Sequence, residues 1–558
     1  MSATPTASAL NSPPTAAPAG RARLWLSAAL RPLAIAAIFP TAPAFGARPA
    51  AGHDAFMHSE RCQFCHDTGF GALRNGQGAD LSIGRDWRPT LMANSFRDPY
   101  WRAKVEREVE ENPHLQAIIE DKCTRCHAPM ANAQARLNGA AGLSLTDASR
   151  DPLAADGVSC TLCHQIEARG LGTPASFTGK FRIGAGRKIF GPYADAEVFP
   201  MPMRNHVDYT PVHGAQVTQS ALCGTCHTLY TPIIDAGGRI AGEFPEQTPY
   251  LEWRQSDFAR EGRHCQDCHM PRIDEAVRIS SRPPWLKTTH QPFWRHAFVG
   301  GNTVIPGILA AQGNRPGANA APDEFRATIE RTQQQLGNHT ARLRLRTQVT
   351  AGELLARVTV ENLTGHKFPT GFPSRRAWLH VTVTAADGTL VFESGAHQDG
   401  RLVHEPAGWQ PHHAEIRDPT LTQIYEAVMA DTEGAPTTTL LRAASYLKDN
   451  RLPPRGFRPA GPQAADVAVR GAATRDRDFH REASGSDTVR YRIPLGGRTA
   501  DDLTVQAELL YQILKPGFAD HLFAGRTPAV LDFKRQWHAA RPAPRIIARA
   551  ARAVDPGL

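Results

Sequence analysis

Residues 62–66 read CQFCH, and the same pattern returns at 123–127 (CTRCH), 160–164 (CTLCH), 223–227 (CGTCH) and 265–269 (CQDCH). The five copies use all ten cysteines of the chain: Cys62, Cys65, Cys123, Cys126, Cys160, Cys163, Cys223, Cys226, Cys265 and Cys268. Composition alone gives roughly 0.007 chance copies, so the repetition is a signal. Cys-x-x-Cys-His is the attachment sequence for c-type haem. Two thiols must reach the two vinyl groups of one porphyrin, and the adjacent histidine then falls on the iron from the proximal side. The reading is five covalent haems c, with His66, His127, His164, His227 and His269 as proximal iron ligands. Zinc ribbons pair Cys-x-x-Cys units but need no histidine after every pair. A disulfide framework scatters its cysteines through a fold. A thioredoxin-like motif occurs once, in a βαβ pattern.

Outward from these motifs, the N-terminus reads as a targeting segment. Met1–Gly20 is rich in Ala, Pro, Ser and Thr without an acid, Arg21, Arg23 and Arg31 follow, and an apolar run covers Pro32–Phe39. Small residues in TAPAFGA offer cleavage after Ala44 or Ala47, as in a Sec-type signal peptide over 1–47. Arg31 and Pro32 interrupt the run, which is too short for a membrane span, and no later stretch reaches the ~20 apolar residues a span needs. The expectation is a mature protein without a transmembrane segment, periplasmic or extracellular, where c-type haem is attached.

The formal charge of +9 is misleading. The leader carries three Arg and no acid, so the mature chain keeps +6, and ten propionates shift the ferrous total to −4. The basic balance therefore gives no argument for nucleic acid as a partner. Positive side chains are better matched to propionates.

The segment 48–302 reads as a helical, loop-rich pentahaem cytochrome c domain. Trp101, Val105 and Val109 stand four apart in a helical stretch that Pro113 ends, and residues 115–119 lead as a second helix into CTRCH. Residues 170–210 carry many Gly and Pro and read as loop. QTPYLEWRQSDF, 247–258, reads as a helix entering the fifth motif. Residues 303–340 read as a linker, rich in Gly, Ala, Asn and Pro, followed by a helix. From 341 to 558 the pattern alternates, as in ARLRLRTQV (341–349), LLARVTV (354–360), AWLHVTV (377–383), TVRYRIPL (488–495) and LTVQAELLYQIL (503–514). Asp387-Gly388 between two such runs is a hairpin signal. The fold class expected is multidomain α + β, with an antiparallel β-sandwich after the haem region. A closing helix at 530–540 and a basic tail complete it.

Each iron has a sixth position. The candidates for it are His58, four residues before the first motif; His114, on the break between two helices; His213, in YTPVHGAQ; His296, in RHAFVGGN; and His366, in the Gly- and Pro-rich turn GHKFPTGFP. Met92 is the best-placed methionine, and such a ligand raises the potential. Arg375 and Arg376 follow His366 and suit propionates.

The segments LMANSFRDPYW (91–101), CTRCHAPM (123–130), DGVSCTLCH (156–164), PYLEWRQSDF (249–258), CQDCHMP (265–271) and RHAFVGGN (295–302) resemble those of a family of secreted bacterial multihaem c-type cytochromes. This family is distantly related to the hydroxylamine-oxidation cytochromes and nitrifier tetrahaem cytochrome c. The likeness continues through GHKFPTGFPSRRAWLHV (365–381), residues 423–457 and RDRDF (475–479). It implies a haem-rich helical domain, a β-rich C-terminal domain and electron transfer as the role. Redox proteins, such as other cytochromes or quinol-linked reductases, are the expected partners. The alternative is an oxidoreductase acting on a small nitrogen or sulfur compound at one open haem. Pentahaem nitrite reductases usually carry CxxCK at that haem, and here all five motifs end in His. No nucleophile or phosphate loop appears either, so a carrier is the preferred reading.

Overall fold

The computed structural model describes residues 54–313 and 319–554. The signal-peptide reading over 1–47 lies outside them. Among the described residues no helix is long and apolar enough to cross a membrane.

Residues 54–302 combine helices and long loops with three small two-stranded sheets, among them the antiparallel hairpin Leu229–Ile234 and Ile240–Gln247, which the sequence reading does not include. Asp98 caps the helix Pro99–Glu111, its carboxylate accepting from the backbone N–H groups of Tyr100 and Trp101, with Pro99 as the first helical residue. Its buried face carries Trp101, Val105 and Glu108. Asn112 ends it before Pro113, and the helix Gln116–His127 then delivers the second motif. Both helices follow the sequence reading. The third and fifth motifs form short helices, Cys160–Cys163 and Cys265–His269. Residues 170–210 are largely loop, broken by the strand Lys188–Gly191 and the helix Met201–Val207.

The stretch expected as a linker differs from that reading. Val304–Ala311 is helical, and its Ile305, Ile308 and Leu309 join the main apolar core. These three apolar side chains on one helix face outweigh the Gly-rich composition around them. The long helix Pro322–His339 follows.

The long strands Ala341–Thr350, Glu353–Asn362, Arg376–Ala385, Ser486–Pro494 and Leu503–Gln512 lie where alternation placed them, whereas Ile424–Ala430, buried along its whole length, shows no alternation and falls outside the expected strands. Ala341–Thr350 shows the pattern directly: Leu343 and Leu345 are buried while Arg342, Arg344 and Arg346 face out. One sheet has four strands in the order Glu415–Ile416, Ser486–Pro494, Glu353–Asn362, Ala341–Thr350. The other has seven; its main path runs Pro436–Thr437, Ile424–Ala430, Arg376–Ala385, Leu503–Gln512, Arg545–Ala553. All pairings are antiparallel except that of Glu415–Ile416 with Ser486–Pro494. Both sheets feed one core, through Val358, Val360 and Tyr491 on one side and Val381, Val383 and Leu509 on the other. The basic tail is a correction. Residues Arg545–Ala553 form an edge strand on Leu503–Gln512, with Ile547 buried and the arginines outward.

Candidate haem-binding cavity

All five motifs converge on one cavity of about 1370 Å³. Every one of the ten cysteines and the five following histidines lines it. None of the cysteines is in a disulfide. The motifs also touch one another: the Cys62 thiol lies beside Cys160, Cys126 beside Cys226, and Cys223 beside Cys265. Cys163 lies close enough to Cys226 for the sulfur charge to push its thiol up to about 12, after burial.

The histidines are oriented by backbone carbonyls. Nδ1 of His66 lies 2.9 Å from the Ile279 carbonyl, that of His127 2.9 Å from Ser95 and that of His164 2.7 Å from Phe190, and Nδ1 of His269 bonds the Val299 carbonyl. A carbonyl only accepts, so the proton sits on Nδ1 and Nε2 keeps its lone pair for a metal. Burial favours neutral rings: it pulls His127 and His227 down to about 4. The His127 ring also stacks on Trp101 at 4.4 Å and 6°.

Two further histidines share this arrangement. His296 faces His164 with ring centroids 6.2 Å apart and planes 23° from parallel. His366 faces His269 at 6.3 Å and 17°. Their Nδ1 atoms point to the Trp294 carbonyl at 3.1 Å and the Lys367 carbonyl at 2.9 Å. A metal bonded at about 2 Å to one nitrogen of each ring holds two imidazole centroids roughly 6 Å apart. The two pairs therefore fit an iron between their rings. Among the described residues, no histidine ring stands in this relation to His66, His127 or His227.

The remaining candidates divide. Met92 lines the cavity, and its carbonyl accepts from the Val158 N–H at 2.9 Å. His58, His114 and His213 do not line the cavity. Nε2 of His58 is 3.4 Å from the buried Asp156 carboxylate, and its Nδ1 accepts from the Glu60 N–H at the start of a helix. Nε2 of His114 faces the Gly238 carbonyl at 3.4 Å, and exposed His213 has its Nδ1 3.2 Å from the Tyr193 carbonyl. The His213 contact is of the same kind as those of His296 and His366 and, among the described residues, leaves its Nε2 free, whereas both ring nitrogens of His58 are engaged.

His366 is held by a buried ionic network. The loop 363–375 leaves the four-stranded sheet, lines the cavity and re-enters the seven-stranded sheet at Arg376. Next to His366, Lys367 Nζ meets Asp449 at 2.5 Å, Arg451 bonds Asp449 at 2.8 Å and Glu252 at 3.0 Å, and the Lys367 N–H donates to Glu252 at 3.1 Å. Glu252 belongs to the helix Pro249–Arg254 that precedes the fifth motif. The network thus clamps the β region onto that motif. Of the two following arginines, Arg375 lines the cavity, whereas Arg376 turns away to Glu405 at 2.6 Å.

Sequence reasoning missed the carbonyls that orient the rings, because a main-chain acceptor has no residue signature. It also missed Glu246 of the cavity wall. Burial, with Glu108 nearby, pushes that carboxyl up to about 8, and its Oε2 has no hydrogen-bond partner.

Comparison with family models and with curated proteins finds no match. Among solved structures, the chain is similar to a penta-heme cytochrome c552 from Thermochromatium tepidum, with 17% identity over 90% of this chain and 99% of that one, at a TM-score of 0.49. A second, HBP35 of Porphyromonas gingivalis, has 13% identity over 45% of this chain and 57% of that one, at a TM-score of 0.15.

Proposed function

We propose that this chain is an exported multihaem c-type cytochrome that passes electrons between redox proteins. The observation that carries the reading is the convergence of five complete attachment motifs on one cavity. In this reading the ten cysteines hold five haems c covalently, and the iron–porphyrin groups supply one-electron chemistry. His66, His127, His164, His227 and His269 take the proximal positions, His296 the sixth position opposite His164, and His366 that opposite His269. Met92, His58, His114 and His213 remain candidates for the other irons. The touching cysteines support an order in which motif 1 meets motif 3, motif 3 meets motif 4, and motifs 2 and 5 both meet motif 4. Centres packed this closely exchange electrons without large motions of the chain. The two C-terminal sheets, sharing one core, are read as the layers of a sandwich. Export by the 1–47 leader to the periplasm belongs to the same reading.

An oxidoreductase acting on a small nitrogen or sulfur compound is the second reading. Tyr100, Glu246 and Arg375 favour it, since all three line the cavity and the Tyr100 hydroxyl and Glu246 Oε2 lack partners. Electron paramagnetic resonance of the oxidised protein separates the two. A carrier gives low-spin signals with no response to added nitrite, hydroxylamine or sulfite. A high-spin signal that one of these compounds shifts overturns the carrier reading.

A further inference from the structure

Motif 1 stands at one end of the order of contacts, and the surface beside it is unusual. Phe64 is 50% exposed, Phe70 60%, Met201 47% and Trp285 65%. None of the four lines the cavity, although Arg61, Phe199, His206 and Arg282 beside them do. They form one neighbourhood. The Phe64 ring stacks on His206 at 5.0 Å, and the helix carrying His206 begins at Met201. Trp285 meets Phe199 edge-on at 5.8 Å, two residues before Met201. The Arg282 guanidinium lies 4.1 Å from the centre of Phe64 and 6.0 Å from that of Phe70. An exposed cluster of large apolar side chains with a polar rim marks an interaction site.

The rim is cationic. Arg61, Arg204, Arg282 and Lys287 are all exposed, and none has a carboxylate within salt-bridge distance among the described residues. Glu60, the nearest acid in sequence, leans toward His58 at 3.9 Å. Ser281, next to Arg282, donates both its backbone N–H and its hydroxyl to the Cys65 carbonyl. Thioether bonds form at the vinyl edge of a porphyrin, and the propionates leave from the opposite edge. Arg282 therefore sits at the wrong edge to neutralise the propionates of the motif it touches.

We propose that this surface, resting on the haem reading above, docks a redox protein with an acidic face. Apolar contacts at Phe64, Phe70, Met201 and Trp285 exclude water, and the four cations steer the partner so that its cofactor approaches Cys65. Exposed aromatics with cations also suit an anionic membrane surface. The patch includes Phe64, which lies between the two cysteines of the first motif, and this favours a protein partner.

The test measures binding of purified flavodoxin, a small acidic redox protein, to the full haem-loaded chain by calorimetry. One variant combines Arg204→Glu, Arg282→Glu and Lys287→Glu. A second combines Phe70→Ser and Trp285→Ser. A control carries Arg541→Glu, Arg545→Glu and Arg552→Glu, the same charge change on exposed residues of the C-terminal region. We expect both patch variants to bind roughly tenfold or more weakly, the control to stay near wild type, and added salt to weaken wild-type binding. Equal losses in patch variants and control, or no loss in either, overturn the proposal. So does tight binding to phosphatidylglycerol-containing vesicles, lost in the patch variants, with none to flavodoxin. The haem absorption spectrum of each sample separates a failed docking site from a failed haem reading.

Discussion

His269 and His366 face each other across the cavity at 6.3 Å between ring centroids, one from an attachment motif and the other from a loop between two β-sheets. In the proposed reading, that relationship makes the β region part of the haem site. His366→Ala is expected to convert one low-spin centre to high spin and shift its potential, and His296→Ala to do the same to a different centre. Near-infrared magnetic circular dichroism and a potentiometric titration read both effects. Unchanged spin states and potentials in the folded variants rule out the two pairings.

Gly157 lies just before the third motif with φ at +63°, and a Cβ there meets the Ala93 carbonyl oxygen at 2.5 Å and that of Met92 at 2.7 Å. Left-handed backbone costs a non-glycine residue about 1–2 kcal/mol, and the clash with main chain adds to it. Gly157→Ala is expected to lower stability by more than about 2 kcal/mol in denaturant unfolding. A loss below about half a kcal/mol contradicts this account.

The network behind His366 sets an acid limit. Asp449 is buried, yet Arg451 and Lys367 beside it hold its carboxyl below the ordinary 3.8, at about 2. A carboxylate depressed on folding stabilises the protein above its unfolded pKa, and that contribution is lost as pH falls from about 4 to about 2, on the order of 2 kcal/mol. Asp449→Asn is expected to be less stable at pH 7, because it leaves Lys367 and Arg451 short of a buried counter-charge, and to lose less on acidification. An acid limb as steep as that of wild type argues against the assignment.

Glu246 has the opposite sign. Burial raises its carboxyl from 4.5 to about 8, so the folded state holds a proton that the unfolded chain releases. Its contribution is full below about pH 4.5 and declines as pH rises through 8. Glu246→Gln removes that decline and is expected to gain on wild type steadily between pH 5 and 8 in unfolding midpoint. A constant difference across this range contradicts the raised value.

The long alternating strands and the five motifs were legible because each rests on a local rule. Leu343 and Leu345 alternate with arginines, and every motif carries its own cysteines and histidine. The helix Val304–Ala311 was not legible, since its burial comes from contacts with distant residues such as Phe325. The same holds for the sixth-position candidates. His58 and His213 are close to motifs in sequence, and their rings meet Asp156 and the Tyr193 carbonyl, contacts that sequence does not show. His366 is far from every motif, and Lys367, Asp449, Arg451 and Glu252 bring it in. Long-range ionic contacts of this kind have no periodicity to read.

Intact mass spectrometry of the secreted protein tests the central claim most directly. The account predicts a mature chain beginning near Phe45 or Arg48 that carries the mass of five covalently added haems and survives denaturation with them attached. A denatured chain carrying four haems or fewer contradicts it.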